Sequence, residues 1–450
     1  MAISATVEWE VRTTGTAGNV NGGGYKPGSS GQDFSQQDAA QYNLTTVTTA
    51  GADAVLLHAS AAADMVGNIA HITSGTNFTV GWYEIISVSV GVSITLDRAC
   101  ATAAGAAGVV YIGGAMSLAS TLDDDFFEAL EPGNKVHVKL GTYAIGEDLN
   151  ISKNGTAALP IQIIGYNTTR NDASNGANRP TFAFGALAFT TASQYQIRNI
   201  IFTTSAANGV RVYGSTLLIN CKSTNSSATV NRWAIKSDDA NMTIMDCECI
   251  STVGYALGSN AATANRHRLI GNYCHDSTFG IYLAEATFST VTSNIVDTCT
   301  TGVFLSYVPN LTMLSNTIYS GTTGVSIQSA SSSANSIIMN NIITGFTTGM
   351  TVLTKADSIV YDFNNFFNNT TDRNANVPVG ANDIALDPGF VDAPNGDFRV
   401  GANMKGVAFP GAFPGGLSTS YLDIGAVQRI EPASGGGPVS QHHVKFQPNY

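Results

Sequence analysis

Charge is scarce in this chain. Asp, Glu, Lys and Arg make up 12% of its 450 residues, against about 25% in ordinary globular proteins. Gly, Ala, Ser, Thr and Asn stand in their place, a composition that suits β-structure stacked through uncharged side chains. The charge that remains is acidic, formally −11, and no Lys/Arg cluster interrupts it. Nucleic-acid affinity rests on neutralised phosphates, so that class of partner is excluded. No apolar run approaches the roughly 20 residues that cross a bilayer. Met1-Ala2-Ile3-Ser4-Ala5-Thr6 has neither the basic segment nor the apolar core of a secretory signal, so none is expected. The six cysteines (Cys100, Cys221, Cys247, Cys249, Cys274 and Cys299) have no zinc-like pairing with His. Cys221 and Cys247 fall one repeat apart and read as reduced, stacked core thiols.

What the chain has instead is a repeat. Between Asp246 and Val352 one phrase recurs: Asn or Asp, seven residues, Gly, then apolar–x–apolar. It reads Asp246…Gly254-Tyr255-Ala256-Leu257, Asn272…Gly280-Ile281-Tyr282-Leu283 and Asn294…Gly302-Val303-Phe304-Leu305. It continues as Asn316…Gly324-Val325-Ser326-Ile327 and Asn341…Gly349-Met350-Thr351-Val352. Successive starts lie 26, 22, 22 and 25 residues apart, a period at which each unit buries its apolar face only by stacking on its neighbours. The period-two alternation makes the unit from strands. The glycines are expected to supply positive φ at tight corners. The Asn column, headed by Asp246, is expected to hydrogen-bond from coil to coil as a ladder. The fold class is all-β: a parallel β-helix, a rod of stacked coils.

Four segments follow from the pattern. Residues 1–118 alternate strand-like runs (Ala54 to His58, Ile69 to Ile72, Gly81 to Val88, Val92 to Leu96) with turns and read as a mostly antiparallel β module. Residues 119–370 form the solenoid. Thr121 is expected to cap a short helix through Leu130, whose acidic first turn and following Pro132-Gly133 fit that reading, and which would cover the first coil. The strand Lys135 to Leu140 is then expected to begin the rod. Residues 371–430 close it, and 431–450 read as a linker with a short aromatic terminus. Gly22-Gly23-Gly24 lacks the following Lys-Ser/Thr of a phosphate loop.

Ala129-Leu130-Glu131-Pro132-Gly133-Asn134-Lys135-Val136-His137-Val138, Gly141-Thr142-Tyr143 and Pro160-Ile161-Gln162-Ile163-Ile164-Gly165-Tyr166 resemble the entry to right-handed parallel β-helix repeat proteins. Asp387-Pro388-Gly389-Phe390-Val391-Asp392 and Asp423-Ile424-Gly425-Ala426 resemble their closing segment. That superfamily includes pectate-lyase-like enzymes and phage tailspikes, and one fold hosts many functions. The first module, through Trp9-Glu10-Val11-Arg12-Thr13-Thr14-Gly15, Asp33-Phe34-Ser35-Gln36-Gln37, Asp64-Met65-Val66-Gly67-Asn68 and Gly81-Trp82-Tyr83-Glu84-Ile85, resembles an N-terminal module of tailed-phage β-helix proteins. The resemblance implies a structural virion protein (head fibre, decoration protein or tailspike-like appendage) located in the virion. Its implied partners are other virion proteins and its own copies, with a trimer favoured. A host surface glycan is a further possible ligand.

The alternative class is a polysaccharide lyase or glycosidase, and the third is a glycan-binding adhesin without turnover. Glycosidase chemistry needs two carboxyl groups about 5 to 9.5 Å apart, and the best local set is His275, Asp276, Glu285 and Asp297. His275 and Asp297 lie one repeat apart and could act as base and acid if both face outward. A surface ion pair explains them equally simply, so no catalytic residue is assigned. Asp238, Asp239, Asp246 and Glu248 form a second acidic set, and Arg266-His267-Arg268 a basic loop. Calcium takes six to eight oxygens, and no Asp-rich loop offers them; no metal or cofactor is expected. Tyr255, Phe279, Tyr282, Phe304, Tyr307 and Tyr319 recur near successive coils. Tyr282 and Phe304 should point outward, which suits a subunit interface better than a sugar stripe.

Overall fold

The computed structural model describes residues 3, 5–16, 22–25, 40–118, 123–168, 170–172, 174–185, 189–205, 208–261, 264–328, 333–354, 358–404, 406–409 and 423–427. The polar run at 29–37, the capping role of Thr121 and the 431–450 tail lie outside them. The chain is a β-solenoid of about nine turns with a separate N-terminal β-sheet. It divides into two compact units, Met1–Thr203 and Thr204–Tyr450.

In the first unit the solenoid begins earlier than the sequence indicates. Strand Glu8–Thr16 pairs in parallel with Lys135–Lys139, Trp9 opposite Val136 and Val11 opposite Val138. Lys135–Lys139 pairs in turn with Ile161–Tyr166. Residues 1–118 are therefore not one separate module: the first strand is a rung of the rod, and the sheet is inserted after it. That sheet is six-stranded, in the order Tyr42–Val47, Ala101–Ile112, Ile69–Phe78, Gly81–Ser89, Ser93–Leu96 and Val55–Leu57. Its pairings are antiparallel, and Leu56, Ile72, Ile85, Ile94 and Val110 are among its buried core.

The rung is pinned from both faces. Trp9 packs edge-on against Trp82 and against Phe126 of helix Asp123–Ala129, at 5.4 and 5.2 Å. Its indole N–H donates to Asn134 Oδ1 at 3.1 Å. Arg170 donates to both Glu8 and Glu10, at 2.9 and 2.7 Å. Arg12 and the Tyr166 hydroxyl reach the other oxygen of Glu10, which is fully buried.

In the second unit each coil contributes a three-residue strand, a short bend, and one or two further strands. Leu217–Ile219, Thr243–Met245, Arg268–Ile270, Thr290–Thr292, Thr312–Leu314, Ile337–Met339 and Val360–Asp362 pair in parallel, in register, down one side. Their central residues (Leu218, Ile244, Leu269, Val291, Met313, Ile338, Tyr361) are buried, so the flanking residues point outward.

The bend after each of these strands holds the ladder. Asn272 Nδ2 donates to Asn294 Oδ1, Asn294 to Asn316, Asn316 to Asn341 and Asn341 to Asn364, at 2.9 to 3.0 Å. The same oxygens accept the preceding rung's backbone N–H. Asp383 of the closing segment ends the ladder by accepting the Asn364 N–H at 2.8 Å. Asp246 is not a rung. Met245 registers with Ile270 and Glu248 with Tyr273, which places Cys247 opposite Asn272 and Asp246 opposite Gly271. Asp246 fills the left-handed corner that Asn220, Gly271, Ser293, Ser315 and Asn340 fill on other coils. Cys247 donates its N–H to Asn272 Oδ1 and its thiol to the Met245 carbonyl.

The repeated glycines also have a different cause from the expected one. Gly254, Gly280, Gly302, Gly324 and Gly349 are absent from the positive-φ positions. A Cβ would strike Val296 at Gly280, Ile318 at Gly302, and the backbone of the next coil at Gly324. They are small because coil packs on coil there, not because a corner needs φ > 0. Gly254 lies outside the column: Leu257 registers with Ile281, so Ala256 is the counterpart of Gly280.

All six cysteines are free and buried. Burial pushes the Cys247 and Cys249 thiols well above their usual range and takes Cys299 to about 12 and Cys100 to about 11. Thiolate, not thiol, reacts. The native protein is therefore expected to leave all six unmodified by a thiol-disulfide reagent such as DTNB at pH 8, and to titrate six in denaturant. Fast labelling of any one without denaturant would contradict this burial.

Candidate functional site

The second strand of each coil carries the sequence-derived acid and base candidates. Glu248–Ser251, Tyr273–His275 and Ile295–Asp297 pair in parallel, and His275 sits directly opposite Asp297. Cys249, Cys274 and Val296 fill the core, so the residues on either side project outward.

Register does not make His275 and Asp297 a hydrogen-bonded pair. His275 stacks on Tyr273 at 4.1 Å. Its Nδ1 meets Asp276 at 2.8 Å and its Nε2 meets Glu248 at 3.3 Å. The same Glu248 oxygen, Oε1, also accepts from Lys222 Nζ at 2.7 Å. Burial opposes the charged imidazole, but the two carboxylates outweigh it and hold the His275 pKa above the usual value. Burial likewise opposes charge on Glu248, yet His275 and Lys222 bring its pKa to about 2. Lys222, Glu248, His275 and Asp276 thus form a line of alternating charge.

Asp297 takes no part in that line. It accepts from the Tyr273 hydroxyl at 3.2 Å and from Thr298 Oγ1 at 2.7 Å. It is 9% exposed, and burial raises its pKa. The closing segment lies alongside: Ala393, Phe398 and Ala426 pack on Ile295, with Tyr273, Tyr319 and Phe390 around them. Ala426 N–H donates to Thr317 Oγ1 and Gly425 N–H to the Asn340 carbonyl. The closing segment thus packs on the neighbours of Asp297, Ile295 on its own strand and Tyr319 opposite it on the next coil.

Glu285 stands at an exposed left-handed position, φ 60°, after strand Phe279–Ala284, and no bond joins it to the other three among the described residues. Asp238 pairs with Arg211 and Lys236 at 2.7 and 2.6 Å, so the second acidic set disperses too. Glu248, Lys222 and Tyr273 are the residues that sequence reading failed to join to His275. The signal was a 25-residue coil offset combined with the two-residue step between outward positions.

Arg266, His267 and Arg268 diverge. The Arg266 guanidinium lies over Phe288, Arg268 is exposed on the outer face, and His267 is 1% exposed. Its ring makes no well-formed hydrogen bond; only the Asp239 charge and the Ala264 carbonyl favour its proton, and burial brings its pKa down to about 4. The unfolded chain therefore binds the extra proton between pH 6.5 and 4. Stability is expected to fall across that window as the solution is acidified, by about 3 kcal/mol from this group. Chemical unfolding at pH 7, 5.5 and 4 checks the slope, which His267→Gln should flatten.

The aromatic residues form an outer cluster on the third strands. Trp233 stacks on Tyr255 and Tyr255 on Phe279, at 4.4 and 5.1 Å, and Tyr282 stacks on Phe304 at 4.5 Å. Tyr282 also meets Trp233, Tyr255 and Phe279 edge-on. A sugar needs an open ring face, and most of these faces are occupied by the next coil's ring. Tyr319 packs against Phe390 and Phe398, whereas Tyr307 is exposed. Among the described residues no group of three or more His, Cys, Asp or Glu could hold a metal ion.

A family model described as right handed beta helix region matches residues 185–371. The solenoid is a right-handed β-helix. Solved structures similar to this chain include the pectate lyase Pel9A, 14% identical, covering 70% of this chain and 92% of its own, with a TM-score of 0.44. The A-module of the Azotobacter vinelandii mannuronan C-5 epimerase AlgE6 is 14% identical, covering 60% and 95%, with a TM-score of 0.29. The GH136 lacto-N-biosidase from Eubacterium ramulus is 12% identical, covering 61% and 64%, with a TM-score of 0.34. No curated protein sequence matches significantly.

Proposed function

We propose that this chain is a non-catalytic structural rod of a tailed-phage particle, with the inserted N-terminal sheet as its attachment module. The observation that carries the non-catalytic reading is the commitment of Glu248, Asp276 and Asp297; Glu285, the remaining carboxylate, stands exposed and apart from them. Glu248 is held between Lys222 and His275, Asp276 is bound to the same imidazole, and Asp297 is tucked beside the closing segment. Hydrolysis or elimination needs a carboxylate or base facing substrate with its proton free to move. The virion assignment rests on the resemblance of the first module and on a rod stiffened from coil to coil by an uncharged ladder.

One observation favours a second reading, an enzyme acting on polysaccharide. Asp297, with a raised pKa, stands in register with His275 and accepts from the Tyr273 hydroxyl, and perturbed groups cluster at functional sites. One experiment separates the two. Purified particles are probed by peptide mass spectrometry and immunogold labelling for this chain, and the purified protein is incubated with a panel of acidic and neutral polysaccharides. The structural reading expects the chain in the particle and no new reducing ends or unsaturated uronates. Depolymerisation that is lost in Asp297→Asn, with folding intact, would replace it with the enzyme.

A further inference from the structure

The outer face of the three-residue strands of the second unit carries no further strand or helix among the described residues. One outward column reads Ile219, Met245, Ile270, Thr292, Leu314, Met339 and Asp362. The parallel column ends in Ile337 and Val360, 38% and 51% exposed. Seven rungs at about 4.8 Å make a flat strip roughly 29 Å long. In a chain of formal charge −11, its fourteen outward positions carry only Arg268 and Asp362 as charges.

A strained aromatic stands on the flank of this strip. Two residues before six of the seven strands the backbone turns through left-handed φ, and the fold places Ser215, Asn241, Arg266, Phe288, Asn310 and Asn335 there. Asn adopts that conformation readily, but a bulky residue does so at a cost. Phe288 sits at φ 55° and is 58% exposed, with the Arg266 guanidinium 5.9 Å from its ring. A side chain that open recovers little of that cost by packing on its own chain. An exposed aromatic beside a flat apolar strip is the form of a binding anchor.

We propose that this face is the contact surface for a second copy of this chain, with Phe288 as its anchor. Charge favours that occupant: two acidic rods repel except across a nearly uncharged face. Periodicity favours it as well, since a surface corrugated at the coil rise is matched by another with the same rise. The strip alone offers roughly 300 Å² per copy, short of the ~800 Å² per partner of a stable interface. The flanking turns must therefore join, and Phe288 stands on one of them. The contact does not depend on the structural reading above, because an enzyme could assemble through the same face.

Sedimentation velocity of the full chain over a concentration series tests it, with Phe288→Asn and Leu314→Lys. The parent is expected to self-associate. Each variant is expected to raise the dissociation constant at least tenfold. Phe288→Asn, by removing the backbone strain, should melt no lower than the parent measured at a concentration where it is monomeric. A parent that stays monomeric at every accessible concentration overturns the proposal. So does an oligomer that Phe288→Asn leaves intact, or one broken only by a Leu314→Lys chain that has also lost its folded circular dichroism.

Discussion

Arg170→Met is expected to cost the first unit about 3 to 5 kcal/mol, the range for stripping one partner from a buried ion pair. The reason is Glu10, which has no exposed surface yet carries a carboxylate shared among Arg170, Arg12 and Tyr166. Without the guanidinium, one oxygen of Glu10 and one of Glu8 face a methionine stem. The desolvation that the pairing offset is then unopposed. The damage should be local at first: strand Glu8–Thr16 is the first parallel rung, with the two-residue strand Gly24–Tyr25 paired on its outer side, and detaching it exposes Trp9 and the edge of Lys135–Lys139. Urea unfolding followed by tryptophan emission and by hydrogen exchange at Glu10–Val11 reads both effects. A pH series adds a signed check. His137, whose Nε2 lies 3.4 Å from the carboxylate, and then Arg170 and Lys135 hold the Glu8 pKa at about 2 against burial. In the parent that contribution is present above pH 4.5 and is lost as pH falls towards 2. In Arg170→Met it should shrink. Unchanged stability would mean that this network only decorates a rung held by Trp9 and its neighbours.

The same rung shows where the sequence stops being legible. Val7-Glu8-Trp9-Glu10-Val11-Arg12 alternates as a strand does, but alternation does not name the strand it pairs with. Its partner is more than a hundred residues away, beyond an inserted sheet, so no local pattern announces the pairing. The repeat, by contrast, was readable because Asn272, Asn294, Asn316 and Asn341 each solve the same hydrogen-bonding problem at one bend. It slipped by one residue at the first rung because Cys247 occupies the Asn position there and Asp246 beside it looked like the conservative replacement. The glycine column was visible but its cause was not: sequence reports a missing Cβ, and only packing tells whether φ or a neighbouring coil forbids it. The candidate site was half legible. Coil arithmetic placed His275 opposite Asp297, whereas the ion pair to Glu248 runs diagonally and the segment packed beside Asp297 comes from residues a hundred positions later.

Asn316 gives the sharpest test of what stiffens the rod. It has no exposed surface. Its Nδ2 donates to Val291, Leu314 and Asn341, and its Oδ1 accepts from both the backbone and the side chain of Asn294. Asn316→Leu keeps the branched shape, adds bulk and removes all of these bonds. The Asn294 N–H loses its acceptor, whereas Asn294 Nδ2 keeps the Leu269 carbonyl and Asn341 Oδ1 keeps the residue 316 N–H. At about 1 to 3 kcal/mol for the unsatisfied N–H and about 1 kcal/mol for each further bond lost, with a larger side chain forced into a packed bend, the loss should reach about 3 to 5 kcal/mol. Asn316→Asp isolates the donor half. Its first oxygen still accepts from Asn294, but the second faces the oxygens to which Nδ2 had donated. The buried carboxylate should then be held protonated, with its pKa raised above about 3.9. The unfolded chain releases that proton first, so this variant's deficit relative to the parent should be small near pH 4 and grow as the pH rises to 7. Urea midpoints of parent and variant at the two pH values decide it. A deficit that does not change with pH would mean that water or a neighbouring coil reaches the position, and that the ladder is looser than its 2.9 to 3.0 Å bonds imply.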